Sequence, residues 1–171
     1  AERVWQVIKA TAEQRGFLVN TDIDERYNLE KATHMAGDYL KKAKEKSGSW
    51  TAAAASYNMG IAGLNKQQTL QGEQEYYHLW LNTETSRYVQ RIIALKIIHQ
   101  HQKDYGFYLT KDDLYPELKY TTQQVSGNVN WISFAQQNNI SYKLLRIYNP
   151  WIRDYNLINK EKKTYEVKIP A

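Results

Sequence analysis

The sequence predicts a mainly α-helical protein that ends in a small β-α-α-β module. Three observations carry that expectation. Across residues 1–106 apolar residues recur at helical spacing, and the runs stop at glycines. Past Gly106 the texture changes to short alternating segments broken by turn residues. A chain of 171 residues is also long enough for one moderate domain with a small module attached.

Taken in order, residues 5–15 read as a first helix that Gly16 stops. Asn28 is a natural N-cap for a second, in which Leu29, Ala32, Ala36, Tyr39, Leu40 and Ala43 share a face until Gly48. Ser49 caps a third over residues 50–59, with Gly60 and Gly63 as its expected stop. Thr83 opens the longest helix, whose predicted buried stripe is Tyr88, Val89, Ile92, Ile93 and Ile97. Short connections imply a compact bundle, and no internal repeat is visible. Asp112, Asp113 and Pro116 mark a surface linker. Residues 118–125 then lean to strand, 131–137 and 141–148 to short helices, and 165–169 alternate as a strand. The expected division is a helical domain over 1–109, a linker over 110–117 and a module over 118–171. Its core is small for about fifty residues, so the module is expected to lean on the helical part.

Composition narrows the function classes. The net charge of +5 is dispersed, with only small clusters such as Lys41, Lys42 and Lys44, and falls short of a nucleic-acid footprint. Fourteen Tyr and five Trp supply flat apolar faces with polar handles, suited to a core, an interface or a sugar ring. The absence of cysteine excludes disulfides and thiolate metal sites, and permits an oxidising compartment. No apolar run reaches the length of a membrane span, and residues 1–5 have no signal-peptide character, so an exported protein would be represented here by a mature form or a fragment. His99 and His101 are two apart on a helix and face different ways, while His34 and His78 lack partners at ligand spacing. There is no Gly-rich phosphate loop and no Gly-x-Ser-x-Gly elbow. The expectation is therefore no metal, no nucleotide and no other cofactor.

The stretch "AASYNMG", residues 54–60, ends an easy alanine helix in groups able to grip something polar. Read alone, it suits a buried Ala-rich helix with a polar stop as well as a ligand wall. Its neighbours add to it. "VWQVIKATAEQRGF", "DIDERYNLEKATHMAGDYL", "SWTAAAASYNMGIAGLN" and "NTETSRYVQRIIALKII", in that order, resemble the later motifs of the lytic murein transglycosylases, particularly the membrane-bound type D branch. The resemblance covers about residues 1–109. "ISYKLLRIYNPWI" and "YEVKIP" are similar to a divergent LysM-type peptidoglycan-binding module, in which Ser126-Gly127-Asn128 replaces the usual opening Gly-Asp-Thr. The long insertion over residues 151–163 also falls where a LysM groove contacts sugar.

The resemblance implies a lysozyme-like helical fold, a periplasmic setting in the bacterial envelope, and peptidoglycan glycan strands as the partner. It implies a chemistry that hangs on one glutamic acid. That acid protonates the glycosidic oxygen between N-acetylmuramic acid and N-acetylglucosamine, then as base helps the sugar's 6-hydroxyl close a 1,6-anhydro ring. In the family this Glu lies well upstream of the Trp-Gln pair, here Trp5-Gln6. Glu2 and Arg3 stand where the family has small residues, so no catalytic role passes to Glu2, and no catalytic residue is assigned. By resemblance the substrate wall comprises Gln6, Tyr57, Asn58, Gly60 and Tyr88, with Glu84 behind them as an orienting group. Read without the resemblance, Gln6 is a helix-surface amide and Glu84 a first-turn acid favoured by the helix dipole. Asp24, Glu25 and Arg26 read as a structural loop with charge pairs. Two functions stay open, a glycan-cleaving transglycosylase seen without its acid and a non-catalytic peptidoglycan-binding protein, with a helical interaction module as a distant third.

Overall fold

The computed structural model describes residues 4–171, so Glu2 and Arg3, on which the reading of the acid position turned, lie outside the described residues. Seven α-helices and four strands follow one another among them: α1 (Lys9–Gln14), α2 (Leu29–Ser47), α3 (Trp50–Met59), α4 (Ile61–Gln71), α5 (Thr83–Gln100), β1 (Tyr120–Ser126), β2 (Val129–Asn130), α6 (Trp131–Gln137), α7 (Tyr142–Tyr148), β3 (Asn156–Leu157) and β4 (Thr164–Pro170). Short 3-10 turns at Glu25–Tyr27, Tyr76–His78, Gln102–Tyr105 and Lys111–Asp113 fill the connections. The helices dominate, with the strands confined to the C-terminal module, in keeping with a lysozyme-like helical domain followed by a LysM-like module.

The chain forms two compact units, Ala1–Met35 together with Pro116–Ala171, and Ala36–Tyr115. The spatial division therefore differs from the linear one expected at residues 110–117, because the N-terminal segment clusters with the C-terminal module.

In the first unit, β1 and β4 pair antiparallel, with Tyr120 opposite Pro170 and Ser126 opposite Thr164. Two short segments outside the expected elements form a second small ladder, β2 with β3. Helices α6 and α7 start at side-chain caps, Asn130 accepting from the Ser133 N–H and Ser141 from the Leu144 N–H. Trp131, Phe134, Leu145, Trp151, Ile152, Tyr165 and Val167 form the core, and Ile23 of the N-terminal segment is fully buried in it. Ile23 bridges Ile152 in antiparallel fashion, the Asp24 N–H donates to the Trp151 carbonyl at 2.9 Å, and the Arg153 N–H donates to the Asp22 carbonyl at 2.8 Å. The 151–163 insertion is thus core material: Trp151 stacks on Tyr165 at 5.5 Å and meets Trp131 edge-on at 6.0 Å. Asn149, fully buried, takes the place of a neighbouring strand beside Lys168. Its Nδ2 donates to the Lys168 carbonyl at 2.7 Å, and its Oδ1 accepts from the Lys168 N–H at 2.8 Å.

The Asp24–Arg26 loop holds the charge pairs expected of it. Arg26 clamps Asp24 at 2.6 Å, and buried Glu25 accepts from Lys31 at 2.5 Å and from the Leu18 N–H at 2.7 Å. Residues 5–8 do not join the first helix, which begins at Lys9. Gln6 has φ +48 and Ile8 is extended, while the Trp5 indole N–H donates to the Thr33 hydroxyl. The left-handed backbone at Gln6 is incompatible with a helical turn there.

In the second unit, the alanines of α3 let α4 and α5 approach closely, and Ala52, Ala55, Leu64, Tyr76, Leu79 and Val89 form the core. Two expectations are corrected here. Gly60 ends α3 as expected but, at φ 81 and ψ 147, also starts α4, so Gly63, read as part of the same stop, lies inside α4. That backbone conformation is open to glycine and costly for other residues, so a corner needs one residue instead of a loop. The α5 stripe is also shorter than its periodicity suggested. Val89 is buried and Tyr88 half-buried, whereas Ile92, Ile93 and Ile97 are exposed at 43%, 41% and 41%.

Candidate functional site

The last turn of α3 and the first turns of α5 meet in the second unit. Asn82 caps α5 by accepting from the Thr85 N–H at 2.9 Å, which fixes the orientation of Glu84 and Thr85. Asn58 bridges the two helices. Its Oδ1 accepts from the buried Thr85 hydroxyl at 2.8 Å, and its Nδ2 donates to Glu84 Oε1 at 3.0 Å. One N–H and one lone pair of the amide remain for a ligand. Glu84 is exposed, and the oxygen facing Asn58 acts as an acceptor.

Three tyrosines surround this bridge. Tyr39 meets Tyr57 edge-on at 5.3 Å and donates to the Ser56 carbonyl at 2.9 Å. Burial pushes the Tyr57 hydroxyl up to about 12, with the neighbouring Tyr88 and Tyr39 adding to the shift. Burial raises Tyr88 as well. Both phenols therefore stay protonated near neutral pH and serve as hydrogen-bond donors, not as bases. Behind them, the buried Tyr76 hydroxyl lies 2.7 Å from the Thr85 carbonyl and 3.0 Å from the Ser86 carbonyl, anchoring the start of α5.

The structure brings Tyr57, Asn58, Glu84 and Tyr88 together, with Gly60 at the corner just beyond Asn58. Gln6 belongs to the first unit, where it is exposed. Sequence reasoning missed Thr85, Tyr76 and Tyr39. Thr85 was within reach, since it stands three residues after a capping asparagine and beside Glu84. Tyr76 and Tyr39 carried no signal beyond being aromatic. Among the described residues no group of three His, Asp or Glu side chains is placed to hold a metal ion, and no helix is long and apolar enough to cross a membrane.

Sequence comparison finds two known domains along the chain. Residues 4–80 match the Transglycosylase SLT domain, and residues 121–171 match the Soluble lytic transglycosylase C-terminal LysM-like domain. The two matches follow one another in chain order, an SLT transglycosylase domain and then a LysM-like C-terminal domain. It is similar to the Membrane-bound lytic murein transglycosylase D of Escherichia coli strain K12, and to the protein of the same name from E. coli O6:H1. Each is 25% identical over 162 residues, covering 92% of this chain. The chain spans about a third of the length of these relatives, 35% of each.

Proposed function

We propose that the protein acts on peptidoglycan glycan strands in the periplasm, as part of the lytic transglycosylase reaction that leaves 1,6-anhydro ends. The observation that carries the reading is the Tyr57–Asn58–Thr85–Glu84 bridge, with Tyr88 alongside. It fixes an amide and two protonated phenols on one wall, the donor set that an N-acetylated sugar requires. Tyr57, Asn58, Gly60 and Tyr88 form the substrate wall in this reading, and Glu84 orients Asn58. Neither metal nor nucleotide takes part.

The polypeptide of residues 1–171 binds glycan and does not turn it over. General acid catalysis needs a carboxyl that carries a proton to the leaving oxygen and is worth about 10²–10⁴-fold. The carboxylate at this wall, Glu84, is engaged as an acceptor by Asn58. Titration with soluble oligosaccharides of alternating N-acetylglucosamine and N-acetylmuramic acid tests the wall. Saturable binding is expected, weakened severalfold in Tyr57→Phe and Tyr88→Phe with the circular dichroism unchanged. Affinity unchanged in both variants would remove the wall from the binding site.

A further inference from the structure

The first unit carries a second polar surface, remote in sequence from the Tyr57–Asn58 wall. A shallow open groove of about 710 Å³ is lined by Tyr27, Tyr142, Lys143, Arg146, Ile147, Pro150 and Arg153. Tyr142, Lys143, Arg146 and Ile147 occupy successive turns on one side of α7, and Pro150 follows the end of that helix. Arg153 is brought alongside by its backbone bond to Asp22, and its guanidinium lies over the Tyr27 ring at 4.4 Å. Arg146 donates to the Tyr142 hydroxyl at 3.0 Å, and that hydroxyl in turn donates to the Asp154 carbonyl at 3.2 Å.

The lining holds three cations and no carboxylate. Elsewhere in this unit several cations are matched by carboxylates: Arg26 by Asp24, Lys31 by Glu25 and Lys168 by Glu30. Among the described residues Lys143, Arg146 and Arg153 form no ion pair with an acidic side chain. Clustered like charges repel and cost stability unless something neutralises them. Two of the three are arginines held against tyrosine rings, which orients their forks for bidentate contact with a carboxylate. Three cations interleaved with tyrosine and proline are fewer than the four to eight that typify a polybasic lipid-binding cluster.

We infer that this groove binds the carboxylates of the peptide stems of peptidoglycan, giving the first unit a hold on the polymer separate from the glycan wall. The identity of the polymer rests on the function proposed above; the anionic character of the ligand rests on the groove alone. Lys143, Arg146 and Arg153 contact the carboxylates, and Tyr27 and Tyr142 pack against the aliphatic parts of the stem.

Co-sedimentation of the whole chain with intact sacculi, with amidase-treated glycan strands lacking stems, and with anionic phospholipid vesicles tests the inference. Intact sacculi are expected to bind about tenfold or more tighter than stripped strands at low salt, with the preference shrinking as salt rises. Arg146→Gln with Arg153→Gln should abolish the preference and leave binding to stripped strands unchanged. Lys143→Gln, at an exposed position where folding is not at stake, should reduce the preference severalfold. Equal binding to intact and stripped material overturns the inference while leaving the glycan reading in place. Binding to neither overturns both. Tighter binding to anionic vesicles than to sacculi, lost in the same variants, assigns the groove to a lipid surface and overturns the peptide assignment.

Discussion

Replacing Asn58 by alanine separates its structural role from its role at the wall. The Thr85 hydroxyl, in a residue 1% exposed, donates to Asn58 Oδ1 at 2.8 Å. Removing that acceptor leaves a buried donor unsatisfied, at a cost of about 1–3 kcal/mol. The hydroxyl can recover part of it by turning toward the carbonyl one helical turn back, which puts the expectation in the lower half of that range. Loss of the exposed bond to Glu84 adds at most about 0.5–1 kcal/mol. The sum is about 1.5–3 kcal/mol, read as a lower urea midpoint in far-ultraviolet circular dichroism, whose signal is dominated by the helices. Thr85→Val on the Asn58→Ala background removes the orphaned hydroxyl, so the double variant should be less destabilised than the two single changes added together, by about 1 kcal/mol. An Asn58→Ala midpoint within error of the parent would refute the bridge and return Asn58 to being a free surface amide.

Three further outcomes follow from particular contacts. Asn149→Ala should cost about 3 kcal/mol, because three hydrogen bonds of a fully buried side chain, to the Leu145 carbonyl and to both backbone groups of Lys168, vanish at once; exchange of the Lys168 amide hydrogen should accelerate, and unchanged protection there would contradict the strand-like role of the side chain. Gly60→Ala should cost about 1–3 kcal/mol in thermal unfolding although a Cβ meets nothing within 4 Å, since the penalty lies in the backbone at φ 81 and not in space; a neutral result would contradict the single-residue corner. Burial raises Tyr57 and Tyr165 to about 12, Glu25 and Glu161 adding to the shift at Tyr165, while unfolded tyrosine titrates near 10. The native state therefore holds protons that the unfolded state has lost, so this stabilisation is complete below pH ~10 and disappears as pH rises toward 12. The Tyr57→Phe/Tyr165→Phe variant should show a shallower loss of stability over that window, and parallel curves would contradict the burial of the two hydroxyls.

Legibility in the sequence followed how local each physical cause is. Asn28 and Ser49 announce their helices because a cap acts over three residues, and α2 and α3 fall where those caps put them. The α5 stripe misled because periodicity reports a face and not what covers it, so Ile92 and Ile93 read as core and are exposed. Gly63 misled because a glycine inside a helix looks the same as one that ends it. The division into units was illegible, since the antiparallel bridge of Ile23 to Ile152 joins positions far apart in the chain with no shared pattern. Tyr57, Asn58 and Tyr88 were singled out through motif resemblance, whereas the partner that holds Asn58, the Thr85 hydroxyl, emerged only from the packing of α3 on α5.

Incubation of the chain with purified sacculi, followed by assay of the pellet for bound protein and of the supernatant for 1,6-anhydromuropeptides, tests the proposed function most directly. Saturable recovery of the protein in the pellet is expected, with anhydro products no higher than in a buffer control. Protein that stays in the supernatant would contradict the peptidoglycan reading, and anhydro products rising with protein concentration would contradict the claim that this polypeptide binds without turnover.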